Sequence, residues 1–266
     1  MRSVGLEDAV ESATHKVVVY KVIEDGATAF TDVRVDFASP WIARQVFEQY
    51  YTAKCAELVI FLRSAEGNAT VSGVCGALFE QLVHRTLSNG GTFKVRRLGP
   101  GVDPATTEVQ VHPPNVEKVR GVDALGSFRG SNQRIYLQPE FGNFSVLDGI
   151  LLNATDGVLL APFVGIQSTV LLEHPLKQAP LVSILECLGT TGAGSFDVVF
   201  VVWPSAFDKY QIQKSHNGEN DLEVCTQIDH HGCTAMGAGA AVAGARGVTQ
   251  MRRCADHPLS FLLLRA

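Results

Sequence analysis

Two long apolar runs, at residues 146–153 and 158–172, constrain the fold more than any other feature of the sequence. A Thr-Asp-Gly triplet at 155–157 separates them, and an Asp-Gly step between apolar runs is a strong signal for a β-hairpin. Pro162 and Gly165 predict a bulge or an edge in the second run. The chain is therefore expected to be built around a hairpin over these residues.

Helix and strand patterns surround this hairpin. An apolar face over 70–87 predicts a helix that ends at an Asn-Gly-Gly triplet, which tolerates a left-handed cap. The order helix, strand, hairpin, helix, strand predicts an α/β fold, a mixed sheet flanked by helices. The remaining elements are expected as strands at 92–98, 108–111, 134–137 and 197–203, helices at 176–188 and 207–213, and a loop over 99–125.

The N-terminal part reads as a separate hairpin followed by helices. Apolar runs at 15–23 and 29–37 flank a Glu-Asp-Gly turn, which predicts a β-hairpin. Ser39 and Pro40 are suited to the start of the following helix. A second helical run at 53–63 follows. The break at 64–68 predicts a domain boundary.

Composition excludes several classes of protein. The chain has 266 residues, of which 46% are apolar and 18% charged, so intrinsic disorder is excluded as the overall class. The net charge of −5 excludes a generally basic nucleic-acid coat. No apolar stretch is long enough to span a membrane, and residues 1–16 show no signal peptide. The isolated cysteines Cys55, Cys75 and Cys187 are expected to be reduced thiols.

Residues 216–266 differ from the rest. An Ala/Gly-rich segment over 236–247 has no apolar period, so this tail is expected to be disordered and to lie outside the fold. This tail carries residue types that bind zinc but no Cys-x-x-Cys pair, so a disordered tail is favoured over a zinc site. These residues are Cys225, His230, His231, Cys233, Cys254 and His257.

Strand geometry brings polar residues of the main hairpin together. With a turn centred near 156–157, Asp148 is expected opposite residue 165, with Gln167 as its diagonal neighbour. Thr169 follows two residues later on the same face. On the preceding helix, Glu80 and His84 lie one turn apart. His84 is interpreted as a packed histidine, with a catalytic base as the alternative.

A carboxylate on one strand and an oxygen ligand on the next is a common way to hold magnesium, which prefers hard oxygen ligands. Such a metal can activate water and stabilise charge at a phosphodiester. Magnesium is therefore the expected cofactor.

Five segments, in this order and spacing, resemble the C-terminal region of Crinkler effectors and of the related retrotransposon hot spot proteins. They are LFEQLVH at 78–84, GGTFKVR at 90–96, NFSVLDGI at 143–150, QSTV at 167–170 and HPLK at 174–177. That region is similar to the restriction-endonuclease-like, or PD-(D/E)xK, nuclease fold. The resemblance covers residues 70–215 and implies this fold for them.

The resemblance also implies site residues. It assigns Asp148 to the metal-binding aspartate, Gln167 to the place of the second acidic ligand, and Thr169 to the place of the usual lysine. Glu80 matches the acidic residue of the first helix, which can complete the metal shell. The implied activity is that of a magnesium-dependent endodeoxyribonuclease, within a secreted virulence effector that acts on DNA in a host nucleus.

Two departures from the family pattern leave an alternative open. Gln167 offers a neutral carbonyl, and Thr169 has no positive charge to offset charge at the phosphate. Arg85, Lys94 or Lys177 are the candidates to supply that charge. The alternative is a catalytically inactive nuclease-fold module that binds DNA or a host nuclear protein.

Basic residues near the predicted site are candidates for phosphate contacts. They are Lys94, Arg96, Arg129 and Arg134. A solvated strand face is the other interpretation of the same residues.

The resemblance also covers the N-terminal part, since residues 36–42 and the helices after them look like the trailing edge of a P-loop NTPase module. No G-x-x-x-x-G-K-[ST] motif occurs in the chain, so ATP hydrolysis is not expected, and a missing or separate NTPase module is a candidate partner. The predicted organisation is a remnant at 1–67, a nuclease-like domain at 68–215 and a tail at 216–266.

Overall fold

The computed structural model describes residues 17–22, 33–97, 106–140, 142, 144, 146–153, 163–172, 176–189, 197–210, 215–216, 233–237 and 260–265. These form two compact units, Met1–Leu82 and Val83–Ala266, that divide within a helix. The boundary at 67/68 that the sequence indicates stays a prediction. The chain is a mixed α/β protein. None of the helices in the described ranges is long and apolar enough to cross a membrane.

The first unit opens with a two-stranded antiparallel sheet. Strands β1 (Val18–Val22) and β2 (Val33–Phe37) pair with Val18 opposite Phe37 and Val22 opposite Val33. The N-terminal hairpin predicted from the alternating apolar runs is thus confirmed for its strands. Its predicted turn lies outside the described residues.

Two helices follow in the first unit. Helix α1 (Pro40–Ser64) begins where the sequence predicts, because the Ser39 hydroxyl accepts a hydrogen bond from the Ile42 amide at 3.2 Å. A kink at Lys54 divides it, as the two predicted helical runs require. A 3₁₀ turn (Ala69–Val71) then leads into helix α2 (Ser72–Asn89), whose last turns belong to the second unit.

The second unit is organised by a nine-stranded mixed sheet. Its strands are β3 (Gly91–Arg97), β4 (Thr106–Val111), β5 (Asn115–Val119), β6 (Ile135–Pro139), β7 (Gly149–Leu152), β8 (Phe163–Ser168), β10 (Asp197–Val202), β12 (Cys233–Gly237) and β13 (Ser260–Arg265). Their order in the sheet is β4-β3-β12-β13-β10-β8-β7-β6-β5, and β3 also pairs with β13. A separate short pair joins β9 (Leu176–Lys177) to β11 (Ser215–His216).

The middle of this sheet has the order that the apolar pattern predicts. Strands β6, β7 and β8 form an antiparallel meander, and β10 pairs parallel to β8. Helix α3 (Gln178–Leu188) makes the crossover between β8 and β10, as a parallel pair requires. It ends at Gly189, whose φ of 72° is the left-handed conformation that favours glycine at a helix end.

One apolar core holds the second unit together. Its members come from α3, from the central strands, from a short helix α4 (Pro204–Phe207) and from segments that connect these elements. All six residues of β10 are buried, which agrees with the continuous apolar run predicted as a buried strand. The most completely buried core side chains are Leu125, Leu137, Leu147, Ile150, Ile184, Val198, Phe200 and Val202.

Several expectations are wrong in detail. The predicted loop at 99–125 contains β5 and the start of a 3₁₀ helix (Asp123–Phe128), because Asn115–Val119 pairs with β6 although only Val119 of its residues is buried. An edge strand of this kind has no continuous apolar signal. Helix α3 begins at Gln178 rather than at 176, and the helix expected at 207–213 lies instead at Pro204–Phe207.

The expectation that the whole of 216–266 lies outside the fold is also wrong. Cys233–Gly237 and Ser260–Arg265 form β12 and β13, and β13 pairs antiparallel with β10. The predicted Ala/Gly-rich segment and most of the zinc-binding set lie outside the described residues. Cys55 is disulfide-bonded, contrary to the expectation of a reduced thiol, whereas Cys75 and Cys187 are free.

Candidate functional site

The hairpin of β7 and β8 positions Asp148. Gly149 pairs with Ile166, and the Asp148 amide donates to the Ile166 carbonyl at 2.8 Å. The next position along this ladder places Asp148 opposite Gln167. The register expected from a turn at 156–157, with Asp148 opposite residue 165, is therefore wrong by two residues. Strand β7 is described to Leu152 and β8 from Phe163, and the turn predicted at 155–157 lies outside the described residues.

The Asp148 carboxylate is buried, with 4% of the residue exposed, and donors converge on one of its oxygens. Oδ2 accepts hydrogen bonds from the Ser168 amide at 2.6 Å and from the Ser168 hydroxyl at 2.5 Å. The Gln167 side-chain amide also donates to it, at 3.3 Å. Hydrogen bonds to an ionised acceptor are short and strong, so these donors stabilise a charged carboxylate at the end of the hairpin.

Gln167 is buried beside this carboxylate, as the sequence predicts. Its Nε2 donates to Asp148 and to the Ser168 carbonyl, each at 3.3 Å. A rotation of the side-chain amide exchanges its donor and acceptor ends, and would present Oε1 to the same place. Carbonyl and carboxylate oxygens are the ligands that magnesium prefers. Asp148 and Gln167 could together supply two oxygen ligands to such an ion.

Thr169 lies two residues after Gln167 in the sequence, but its hydroxyl forms hydrogen bonds within a local turn. Its Oγ1 accepts from the Leu171 amide at 3.1 Å and lies 3.3 Å from the Leu171 carbonyl. Its main-chain amide donates to the Val201 carbonyl of β10 at 2.9 Å. Thr169 therefore stabilises the end of β8 and offers no positive charge there.

Glu80 lies on α2, within the first unit. Burial raises the pKa of its carboxyl to about 7, although the positive charge of Arg44 acts in the opposite direction. Near neutral pH this carboxyl can therefore either hold or release a proton. It is a chemically capable group, and its predicted part in a metal shell stays a prediction.

The four predicted phosphate-binding residues have different surroundings. Lys94 is exposed on β3, where it lies opposite Glu108 of β4 in the strand register. The Arg96 guanidinium instead donates to the carbonyls of Phe207 and Tyr210, at 2.6 and 2.8 Å, and lies over the Phe207 ring. Arg96 thus attaches the end of α4 to the sheet.

Arg129 also contacts main chain. It donates to the carbonyls of Glu186 at 2.8 Å and Cys187 at 3.2 Å, which are at the C-terminal end of α3. A positive side chain there stabilises carbonyls that lack partners within the helix. Arg134 is partly buried just before β6. Of the four residues, Lys94 and Arg129 are exposed, whereas Arg96 and Arg134 are partly buried.

Ser168 is the functional residue that the sequence analysis missed. It lies between Gln167 and Thr169, and strand alternation would direct its side chain to the opposite face. Because Ser168 is the last residue of β8, its hydroxyl reaches Asp148 all the same. The signal in the sequence was a hydroxyl residue between two predicted site residues at a strand end.

Within the described residues, no three His, Cys, Asp or Glu side chains are grouped so that they could hold a metal ion. Any metal at Asp148 would therefore depend on amide or hydroxyl oxygens and on water. Comparison with known proteins finds no matching family model, no matching curated protein and no matching solved structure.

Proposed function

We propose that this chain acts on DNA through a magnesium-dependent phosphodiesterase site of the restriction-endonuclease-like class. The observation that carries the proposal is the buried Asp148 carboxylate beside Gln167, at one end of a hairpin in a mixed sheet. Burying a carboxylate is costly unless donors compensate it, and here the donors of Ser168 and Gln167 stabilise a charged oxygen at the end of the hairpin. The sequence resemblance assigns the metal-binding aspartate to the same residue.

The proposed chemistry follows from the ligand types. Asp148 supplies a carboxylate oxygen and Gln167 a carbonyl oxygen after rotation of its amide. The part of Glu80 in the metal shell rests on the sequence resemblance alone. Asp148 and Gln167 would hold the magnesium ion, which would supply activation of a water for attack on a phosphodiester and stabilisation of the developing charge. Lys94, Arg85 or Lys177 are the candidates to supply the positive charge that Thr169 lacks.

The biological setting of the proposal comes from the resemblance alone. It is that of a Crinkler-type effector or a related hotspot protein, secreted and acting in a host nucleus, with a missing or separate NTPase module as a partner. The restriction-endonuclease-like identity of the domain is likewise part of the proposal. It is supported by the order α2, β3, β7, β8, α3, β10, which follows the helix, strand, hairpin, helix, strand pattern of the sequence, with β4, β5 and β6 inserted between β3 and β7.

Plasmid and oligonucleotide cleavage tests this function. The full chain is assayed with Mg²⁺, with Mn²⁺ and with a chelator, beside Asp148→Asn and the control Asp123→Asn, which alters an exposed aspartate. The proposal expects metal-dependent cutting by the parent and by Asp123→Asn, and its loss in Asp148→Asn. Equal cutting by Asp148→Asn would contradict it.

A module that binds without chemistry is the second candidate. Two observations favour it: Gln167 stands where a carboxylate is expected, and the Thr169 hydroxyl is engaged in a turn. In that case Asp148 and Ser168 fix the end of the hairpin for a binding surface. DNA binding that weakens with salt but does not respond to magnesium would favour this candidate.

A further inference from the structure

A hydrogen-bonded pair of polar side chains lies buried in the second unit. Nδ1 of His84 and the hydroxyl oxygen of Tyr136 are 2.7 Å apart, and the two residues are 8% and 0% exposed. His84 is on the part of α2 that belongs to this unit, and Tyr136 is on β6. A buried hydroxyl without a partner is costly, so His84 holds the end of the Tyr136 side chain in one place.

The end of the Tyr136 ring lies directly against the main chain at Gly149. A Cβ atom on Gly149 would be 2.7 Å from Cε2 and 2.8 Å from the hydroxyl oxygen of Tyr136, closer than real contacts of this kind. Glycine is therefore required at the first residue of β7 by the space that Tyr136 occupies. Any shift of that ring would be transmitted to Gly149, because interiors pack without spare volume.

Gly149 follows Asp148, whose own main chain is held from the other neighbouring strand. The Asp148 amide donates to Ile166 of β8 at 2.8 Å, and its carboxylate accepts from Ser168. The Asp148–Gly149 peptide thus lies between hydrogen bonds from β8 and the Tyr136 side chain from β6. Each neighbouring strand fixes one side of it.

We propose that Tyr136, held by His84, is a positioning residue for the Asp148 carboxylate. The pair acts through Gly149 and does not touch the reacting atoms. The functional meaning of this role rests on the proposed function, since it matters to catalysis only if Asp148 holds the metal. The positioning itself is a property of the fold and can be measured without metal.

Amide hydrogen exchange in the full chain, followed by NMR, measures it directly. Tyr136→Phe keeps the ring but removes the hydroxyl, and His84→Gln removes the histidine partner. Both are expected to speed exchange at the Asp148 and Ser168 amides about five- to tenfold, as for the loss of one buried hydrogen bond. Exchange within Val198–Val202 of β10 should not change.

Ser88→Ala is the matched control. Ser88 accepts from the Gln138 side chain at 3.1 Å and donates to the main-chain carbonyl of His84 at 2.7 Å. Ser88→Ala therefore loses contacts at the same helix and strand but keeps the side-chain pair of His84 and Tyr136. It should leave the Asp148 and Ser168 amides unaffected. Unchanged exchange at these amides in both Tyr136→Phe and His84→Gln, or an equal increase in Ser88→Ala, would overturn the proposal.

A rescue and a metal titration complete the test. Gly149→Ala is expected to disturb the same amides, and Tyr136→Leu in that background to restore part of their protection by vacating the space. Mn²⁺ affinity should fall about five- to tenfold in Tyr136→Phe and not in Ser88→Ala. If the parent binds no Mn²⁺, the proposed function fails, whereas the exchange result still decides the positioning role.

Discussion

The main-chain amide and the hydroxyl of Ser168 both donate to the same carboxylate oxygen of Asp148, at 2.6 and 2.5 Å. This double contact joins the last residue of β8 to the residue that precedes β7. It orients the carboxylate and directs Oδ2 towards protein donors.

Removing the Ser168 hydroxyl should weaken this end of the hairpin. Ser168→Ala is expected to lower the free energy of unfolding by about 1–2 kcal/mol, because a charged acceptor loses one buried donor. Urea unfolding measures the change. Ser183→Ala is the control, since its hydroxyl bonds to main chain on an exposed face of α3. Equal stability of the two variants would contradict the role given to Ser168.

Restoring a carboxylate at position 167 should make stability depend on magnesium. In Gln167→Glu two carboxylates would share a buried site, so we expect a lower unfolding temperature without metal. A divalent cation that binds between them would reverse the loss. Thermal unfolding with Mg²⁺ and with a chelator tests this. The control Gln138→Glu places a carboxylate on β6, and a similar response to magnesium there would argue against a specific site.

The raised pKa of Glu80 predicts a defined pH dependence. The folded chain holds this proton up to a pKa of about 7, whereas the reference value is 4.5, so the folded state binds more protons between these two values. The contribution of Glu80 to stability is therefore full below pH 4.5, falls as the pH rises to about 7, and stays low above that.

Glu80→Gln should remove this dependence. The free energy of unfolding of the variant minus that of the parent is expected to rise by about 1–3 kcal/mol as the pH increases from 4 to 8. Unfolding curves across this range measure the difference. If the difference in free energy of unfolding between variant and parent does not change with pH, burial does not raise the pKa of the Glu80 carboxyl.

The contacts of Arg129 and Lys94 predict separate effects for the two residues. Arg129→Met should cost about 1 kcal/mol of stability by removing the donors at the end of α3, with little effect on DNA affinity. Lys94→Met should leave stability unchanged and weaken DNA binding, with a smaller salt dependence. Unfolding and DNA titrations on both variants check this. A loss of DNA affinity in Arg129→Met alone would mean that Arg129 contacts phosphate.

Local patterns in the sequence predicted much of the fold because local physics determines those parts. Ser39 and Pro40 predicted the start of α1, and the continuous apolar run at 197–203 predicted a buried strand. Strand β5 was missed, since an edge strand held by main-chain pairing needs few apolar residues. The pairing of β13 with β10 joins segments distant along the chain, which no local pattern can specify.

Two members of the candidate site, Asp148 and Gln167, were predictable from the sequence, whereas Ser168 and the geometry were not. Asp148 and Gln167 were correctly expected to be neighbours, because antiparallel strands bring such residues together. The register was wrong by two residues, since it depends on where each strand ends. Arg96 and Arg129 show the further limit, because their main-chain partners lie at least 57 residues away along the chain.

The most direct test of the central claim, that Asp148 holds a divalent cation, is a calorimetric titration of the full chain with Mn²⁺ at neutral pH, run in parallel on Asp148→Asn. The claim predicts one saturable site in the parent and its loss in the variant, with both proteins folded by circular dichroism. Saturable binding that persists unchanged in Asp148→Asn, or no binding by the folded parent, would contradict it.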